Sequence, residues 1–379
     1  MRFFHLSDLH IGKRLGGYSL LEDQQYILNE ILSIARQQTP DAFLLAGDIY
    51  DKAVPSAEAV QLFDLFLTQL AELGKPIFII SGNHDSAERI AFGADILRQS
   101  QVYFSPLFKG KIEPITLQDE YGELDIYLLP FIKPSTVRPF FPDTQIESYQ
   151  DAVAAVVSSL CLDPSRRNLL VAHQFVAGAR PADSEELSVG GTEQVGAALF
   201  AGFDYVALGH IHRPQQVTRP TVRYCGTPLA YSFSECEQEK SITVVTIKEK
   251  GEVSLSFLPL VPLRRLREIR GSYMEIADRR NYAGTNLEDY VHIILTDEEE
   301  IPDAVAKLRS IYPHIMQLTY DNRRTQATPE MQQRETHAKS SPLDLFNELY
   351  TLQNNAPLND AQTRYLQTLI ETIWEGAEQ

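Results

Sequence analysis

Over roughly the first 260 residues, short apolar runs alternate with longer stretches whose apolar positions recur every three or four residues. "FFHL", "AFLLA", "IFIIS", "LDIYLLPF", "NLLVA" and "YVALG" read as strands with helical segments between them. "VRYCG", "ITVVTI" and "VSLSFL" then follow as consecutive strands. Alternation first and successive strands later predict an α/β sandwich of two mixed sheets flanked by helices. In "SLLEDQQYILNEILSIARQQ", Leu20, Ile27, Ile31 and Ile34 fall at helical spacing. Val60, Phe63, Leu67 and Leu70 do the same in the next helix, with Ser56 placed to cap it and Gly74 to stop it. Both stripes predict core helices. The wide face made by Leu62, Phe63, Phe66 and Leu67 leaves surface for packing on a second subunit.

Past about residue 265 the pattern changes. "DYVHIILT", "IPDAVAKLRSIYP" and "HIMQLTYD" predict a strand, a helix opened by Pro302 and a strand, a small βαβ-like α+β module. Residues 322–341 are polar and predict a linker. After it, Leu345, Leu349 and Leu352, then Leu366, Leu369, Ile370 and Ile373, mark a pair of short amphipathic helices that need something to dock on.

The chain has 379 residues, 44% of them hydrophobic, which exceeds what one core usually organises and predicts more than one domain. No apolar run approaches the ~18 residues of a membrane span, and "MRFFHLSDLH" turns polar too soon for a signal peptide, so a cytoplasmic protein is expected. Cys161, Cys225 and Cys236 form no CxxC pair and predict reduced, at least partly buried thiols. The net charge of −17 opposes long-range attraction to nucleic acid unless basic groups cluster or a partner supplies them. Candidate clusters are Arg264 to Arg270, Arg279 with Arg280, Arg323 with Arg324, and Lys109 with Lys111.

Chemistry gathers at the strand ends. "SDLH" offers Asp8 and His10, "AGDIYD" Asp48, "SGNHD" Asn83 and His84, "VAHQ" His173, and "LGHIH" His210 and His212. In open α/β sheets, sites are built at strand carboxyl ends. Side chains two apart on an extended chain face the same way, so Asp8 with His10 and His210 with His212 can each converge, whereas the neighbours Asn83 and His84 diverge toward separate tasks. Each motif alone has a bland explanation as a cap, a turn or a packed histidine. All five in one chain, each at a strand terminus, do not. Two aspartates, an asparagine and four histidines are too many for one four-coordinate zinc and suit two divalent ions sharing a carboxylate. Oxygen and imidazole donors without thiolate favour manganese, iron or zinc, and manganese is the expectation.

"SDLHIG", "GDIYD", "GNHD", "AHQ" and "GHIH", in this order, resemble the calcineurin-like metallophosphoesterase superfamily. Within it, the opening 24 residues, "FVAGAR" and "GHIHRPQ...VRYCGTPLAYSFSE" resemble the SbcD family of nuclease subunits. The resemblance implies one metal held by Asp8, His10, Asp48 and His212 and a second held by Asp48, Asn83, His173 and His210. It makes His84 the catalytic histidine, with Asp85 orienting it. It also implies a nuclease domain over 1–265, a capping domain over 266–321, the linker over 322–341 and a partner-binding helical pair over 342–379. The implied partners are DNA (double-stranded ends, hairpins and single strands), an SbcC-type ATPase reached through the C-terminal helices, and a second copy, giving a homodimer within a heterotetramer. Relatives often carry histidine where this chain has Asp51. Two other readings compete: a nucleotide or small-molecule phosphodiesterase, against which the modules beyond residue 265 stand, and a scaffold without metals, against which the complete set of donors stands.

Overall fold

The apolar runs assemble into two six-stranded sheets packed face to face, and the alternation of side chains along each strand divides its residues between two cores. A computed structural model describes residues 1–105, 107–185, 193–322, 343, 346–347, 349–351 and 358–376. In chain order the strands are β1 (Arg2–Leu6), β2 (Arg14–Leu15), β3 (Tyr18–Ser19), β4 (Ala42–Ala46), β5 (Ile77–Ile80), β6 (Val102–Phe104), β7 (Ile115–Asp119), β8 (Gly122–Leu129) and β9 (Arg167–His173). They continue as β10 (Tyr205–Gly209), β11 (Gln215–Val217), β12 (Arg219–Tyr224), β13 (Ser241–Ile247), β14 (Val253–Pro259), β15 (Leu266–Gly271), β16 (Tyr290–Leu295) and β17 (Ile315–Tyr320). One large sheet runs β14-β13-β1-β4-β5-β6, the other β11-β12-β10-β9-β8-β7. In the first, β1, β4, β5 and β6 are parallel and β13 and β14 join antiparallel on one side; in the second, the parallel strands β12, β10, β9 and β8 are flanked by the antiparallel edges β11 and β7, as expected of mixed sheets.

Phe3, Leu44 and Phe78 point between the sheets, where they meet Ile126, Leu169 and Val171 of the opposite sheet. Their neighbours Phe4, Leu45 and Ile79 point outward against the helices α1 (Leu21–Gln38) and α2 (Ala57–Ala71). Strands buried on both faces need nearly continuous apolar sequence, which explains runs such as "AFLLA". The Ser56 hydroxyl accepts from Ala59 N at the start of α2, as its cap position predicts. The buried residues of α2 are Ala59, Phe63, Phe66 and Leu70. Val60, expected inside, is 44% exposed. Of the apolar face expected to pack on a second subunit, Phe63 and Phe66 are buried in the chain's own core, with Leu62 and Leu67 partly buried against it.

A three-stranded parallel sheet, β15-β16-β17, carries a separate small core of Val291, Ile293, Leu295, Leu308 and Ile315. The helix between β16 and β17 is only Ala304–Leu308, and β15 lies in a segment read from the sequence as a basic cluster. Two arginines of that cluster are paired. Arg264 bonds Glu22 and Asp23 of α1, and Arg267 pairs with Asp289. Arg280 pairs with Asp278, and Lys111 with Glu113; Arg323 and Arg324 lie outside the described residues. For Arg264 and Arg267 the partners are distant in sequence and invisible to a local reading; for Arg280 and Lys111 they lie two residues away. Cys225 is buried and Cys236 partly so, but Cys161 is exposed, contrary to expectation.

These elements belong to one compact unit, Met1–Glu185 with Gln194–Tyr320. The C-terminal residues belong to another, with a helix over Asp360–Gly376 and exposed Phe346, Leu349, Tyr365 and Leu369. Leu345, Leu352 and all of the expected linker after Asn322 fall outside the described residues. No helix among the described residues is long and apolar enough to cross a membrane.

Candidate metal centre

Parallel strands end on a common edge, so the polar residues that follow β1, β4, β5, β9 and β10 arrive at one place. Asp8 N bonds Gly47 O at 3.0 Å and His10 N bonds Asp48 O at 3.0 Å, tying the first two motif loops together. The two sheets close on each other here so tightly that a Cβ on Gly209 would sit 1.9 Å from Ala46 O. One on Gly82 would sit 2.0 Å from Asp48 Oδ1. Glycine is therefore required before His210 and before Asn83.

The expected convergence of Asp8 with His10 and of His210 with His212 occurs, but not by the geometry of an extended chain. Asp8, His10, Asp48 and His210 have φ of 53, 43, 50 and 103°. Left-handed backbone at non-glycine residues is strained and collects at functional sites. Tight loops beyond the strands, rather than the strands themselves, aim these side chains.

All the predicted residues are brought together. Asp8, His10, Asp48, His173, His210 and His212 are buried; Asn83 and His84 are half-buried. Nε2 of His10 is 3.1 Å from Nε2 of His212. Asn83 Oδ1 lies 3.0 Å from His173 Nε2 and 2.9 Å from His210 Nδ1. Between these two groups sits Asp48, whose Oδ2 is 3.6 Å from His10 Nε2 and 3.3 Å from His173 Nε2. Ligand atoms of Asp8, His10 and His212 lie within 4.8 Å of one another, as do those of Asp8, Asp48 and His173, and those of His10, Asp48 and His84.

His84 donates its backbone N–H to Asp48 Oδ1 at 2.9 Å, while its Nδ1 is 3.0 Å from the Asp51 carbonyl oxygen. Asp85, expected to orient His84, also ties loops together. Its carboxylate accepts the backbone N–H groups of Ile49, Tyr50 and Gly82 at 3.1, 2.9 and 2.9 Å. It braces the loop after β4 against the loop after β5, and the ring nitrogen of His84 is steadied by the Asp51 carbonyl.

Electrostatics mark the pocket as built for positive charge. Burial opposes ionisation of Asp48, yet His173, His84 and His10 hold its carboxyl well below the usual range. Burial likewise opposes charge on His173, yet Asp48 pushes its imidazole up to about 9. Burial lowers His210 to about 3 and His10 well below its ordinary value, and raises Asp8. The anionic carboxylates thus draw a proton onto a buried ring, the same pull that would draw a divalent cation. His173 Nδ1 lies 2.8 Å from the Ala46 carbonyl oxygen, a contact that directs Nε2 into the pocket, and His210 Nε2 is buried without a hydrogen-bond partner. The donors present fit a pair of divalent ions.

Sequence reasoning missed a second layer. Ser7 Oγ donates to Asp8 Oδ2 at 2.5 Å, and Ser184, Glu185, Glu235 and Lys240 surround His212. Only the short "SFSE" and "SDLH" strings hinted at two of them.

Residues 1–214 match the calcineurin-like phosphoesterase family. The chain belongs to that family. Residues 260–354 match the family described as type 5 capsule protein repressor C-terminal domain. The D subunit of the SbcCD nuclease of Staphylococcus epidermidis is 37% identical over 323 residues, covering 84% of this chain and 85% of that protein. This chain is an SbcD homologue. A dimetal phosphatase from Danio rerio shares 10% identity over 69% of this chain and 96% of its own, with a TM-score of 0.40. A Thermus thermophilus protein shares 12% over 68% and 98%, with a TM-score of 0.39. At those scores the likeness bears on nothing further.

Proposed function

We propose that this SbcD homologue is the DNA-cleaving subunit of an SbcCD-type repair and recombination complex in the cytoplasm, an exonuclease on double-stranded ends and an endonuclease on single strands and hairpins. The observation that carries the reading is the position of Asp48 between the His10–His212 and Asn83–His173–His210 groups. On this reading Asp8, His10, Asp48 and His212 hold one divalent ion and Asp48, Asn83, His173 and His210 a second, with manganese best suited to the donor set. Two such ions, when bound, polarise a phosphodiester and make water a nucleophile near neutral pH.

The remaining steps belong to the chain. Asp85 keeps the two motif loops in register, so that Asn83 faces the pocket and His84 its mouth. The Asp51 carbonyl accepts Nδ1–H of His84, which leaves Nε2 toward the departing sugar oxygen. In its protonated form the ring gives the Nε2 proton to that oxygen and keeps the Nδ1 proton on the Asp51 carbonyl, assistance typically worth ~10²- to 10⁴-fold.

The β15-β16-β17 module serves as a cap that positions DNA. The C-terminal helices dock on the coiled-coil base of an SbcC-type ATPase, which supplies the basic surface that a chain of net charge −17 lacks. Two copies form the homodimer within a heterotetramer. The test is digestion of end-labelled duplex and hairpin DNA with Mn²⁺, with and without the partner and ATP, beside a cyclic nucleotide. Cleavage of the cyclic nucleotide with no cleavage of DNA would sink the reading.

A further inference from the structure

Beside His212 lies a buried ion pair with no place in the chemistry described so far. Glu235 is fully buried and Lys240 is 6% exposed, and Lys240 Nζ sits 2.6 Å from Glu235 Oε2. Removing one partner of such a pair is strongly destabilising, while replacing both with apolar groups often costs nothing, so stability alone gives little reason to keep it. What the pair touches supplies a reason. Glu235 Oε1 accepts the Ser184 hydroxyl at 2.5 Å, and Ser184 Oγ is 2.6 Å from His212 Nδ1. Lys240 Nζ also reaches the His212 carbonyl oxygen at 3.1 Å, and the His212 backbone N–H donates to Glu185 Oε1 at 2.6 Å.

The proton count along this chain has one solution. Lys240 keeps Glu235 a carboxylate, which can only accept. The single hydroxyl proton of Ser184 therefore goes to Glu235, and its oxygen can only accept from His212. His212 then carries its proton on Nδ1, and the Nε2 lone pair faces His10 and the pocket. Partners of this kind fix the tautomer and angle of metal-ligating histidines.

We infer that Ser184, backed by the Glu235–Lys240 pair, is a positioning residue that sets the tautomer and orientation of His212 for metal binding. The inference rests on the metal reading above and deepens it: His212 is held in place by groups from two loops distant in sequence, neither of which supplies a ligand.

The test uses the full chain stripped with chelator. Nitrogen-resolved NMR of its histidine rings, with His212 assigned by its loss in H212A, should show the proton on Nδ1. Calorimetric titration with MnCl₂ should show S184A weakened by ~10- to 100-fold at one of the two ions, with the melting temperature of the metal-free protein unchanged and wild-type affinity restored in S184T. E235Q should weaken binding in the same way; if it does not fold, S184A decides, because Ser184 is only half-buried. Wild-type affinity in S184A, a loss that S184T shares, or a proton on Nε2 of His212 would overturn the inference. H212A separates the two levels. If it binds both ions normally, the metal reading itself fails; if it loses an ion while S184A does not, only the role of Ser184 fails.

Discussion

Nε2 of His10 and Nε2 of His212 lie 3.1 Å apart in a buried pocket, although 202 residues separate them in the chain. On the proposed reading a divalent cation takes the lone pairs of both nitrogens and replaces this single contact with two metal bonds. Stripping metal should therefore lower the melting temperature, and Mn²⁺ at about 100 times its dissociation constant should restore ~2.7 kcal/mol per bound ion. H10A should lose one ion's share of that gain, as scanning calorimetry with and without Mn²⁺ would show. An identical gain in H10A and wild type would remove the basis for this pairing.

On the proposed reading His84 serves the chemistry and not metal retention; its ring is half-buried and Nδ1 lies 3.0 Å from the Asp51 carbonyl oxygen. Its Nδ1 or Nε2 nevertheless lies within reach of His10 and Asp48, so substitution must decide between the roles. H84A should keep two ions per chain by elemental analysis and lose ~10²- to 10⁴-fold in the rate of DNA cleavage. Loss of metal in step with activity would make it a ligand.

Asp85 makes a contrasting case. D85N leaves one oxygen where two accepted three backbone N–H groups and turns an amide N–H₂ toward one of them. An unsatisfied buried donor costs about 1–3 kcal/mol. The melting temperature should fall, and metal affinity with it, because Asp48 and Asn83 ride on the braced loops. A normal melting temperature with slow cleavage alone would instead give Asp85 a direct part in the reaction.

The two residues show where the sequence was legible and where it was not. Apolar runs of buried strands end abruptly, so a polar residue just after each run is conspicuous, and parallel topology sends those ends to one edge. That made Asp8, Asp48, Asn83 and His210 readable. The direction of each side chain was less so, since left-handed backbone at Asp8 and His10 replaces the extended geometry inferred from their spacing. Ser184 was invisible, and Glu235 no more than hinted at, because loops, with no periodicity, carry them to His212. Phe63 misled for a related reason: an apolar stripe announces burial without saying whether the chain's own sheet or another copy covers it.

Separation of the cutting and docking parts gives the last prediction. All eight site groups, both faces of the sandwich and the small parallel sheet lie within Met1–Glu185 and Gln194–Tyr320, a unit with its own cores. The helix over Asp360–Gly376 exposes Tyr365 and Leu369, four residues apart and so on one face, in the manner of a helix that seats in a partner's groove. A chain truncated after about residue 325 should keep its melting transition and its Mn²⁺-dependent cleavage of single-stranded DNA, because that unit carries cores of its own. The same truncation should abolish co-purification with the SbcC-type ATPase. A truncated chain that still assembles with the ATPase would place the docking surface on the sandwich or on the β15-β16-β17 sheet instead.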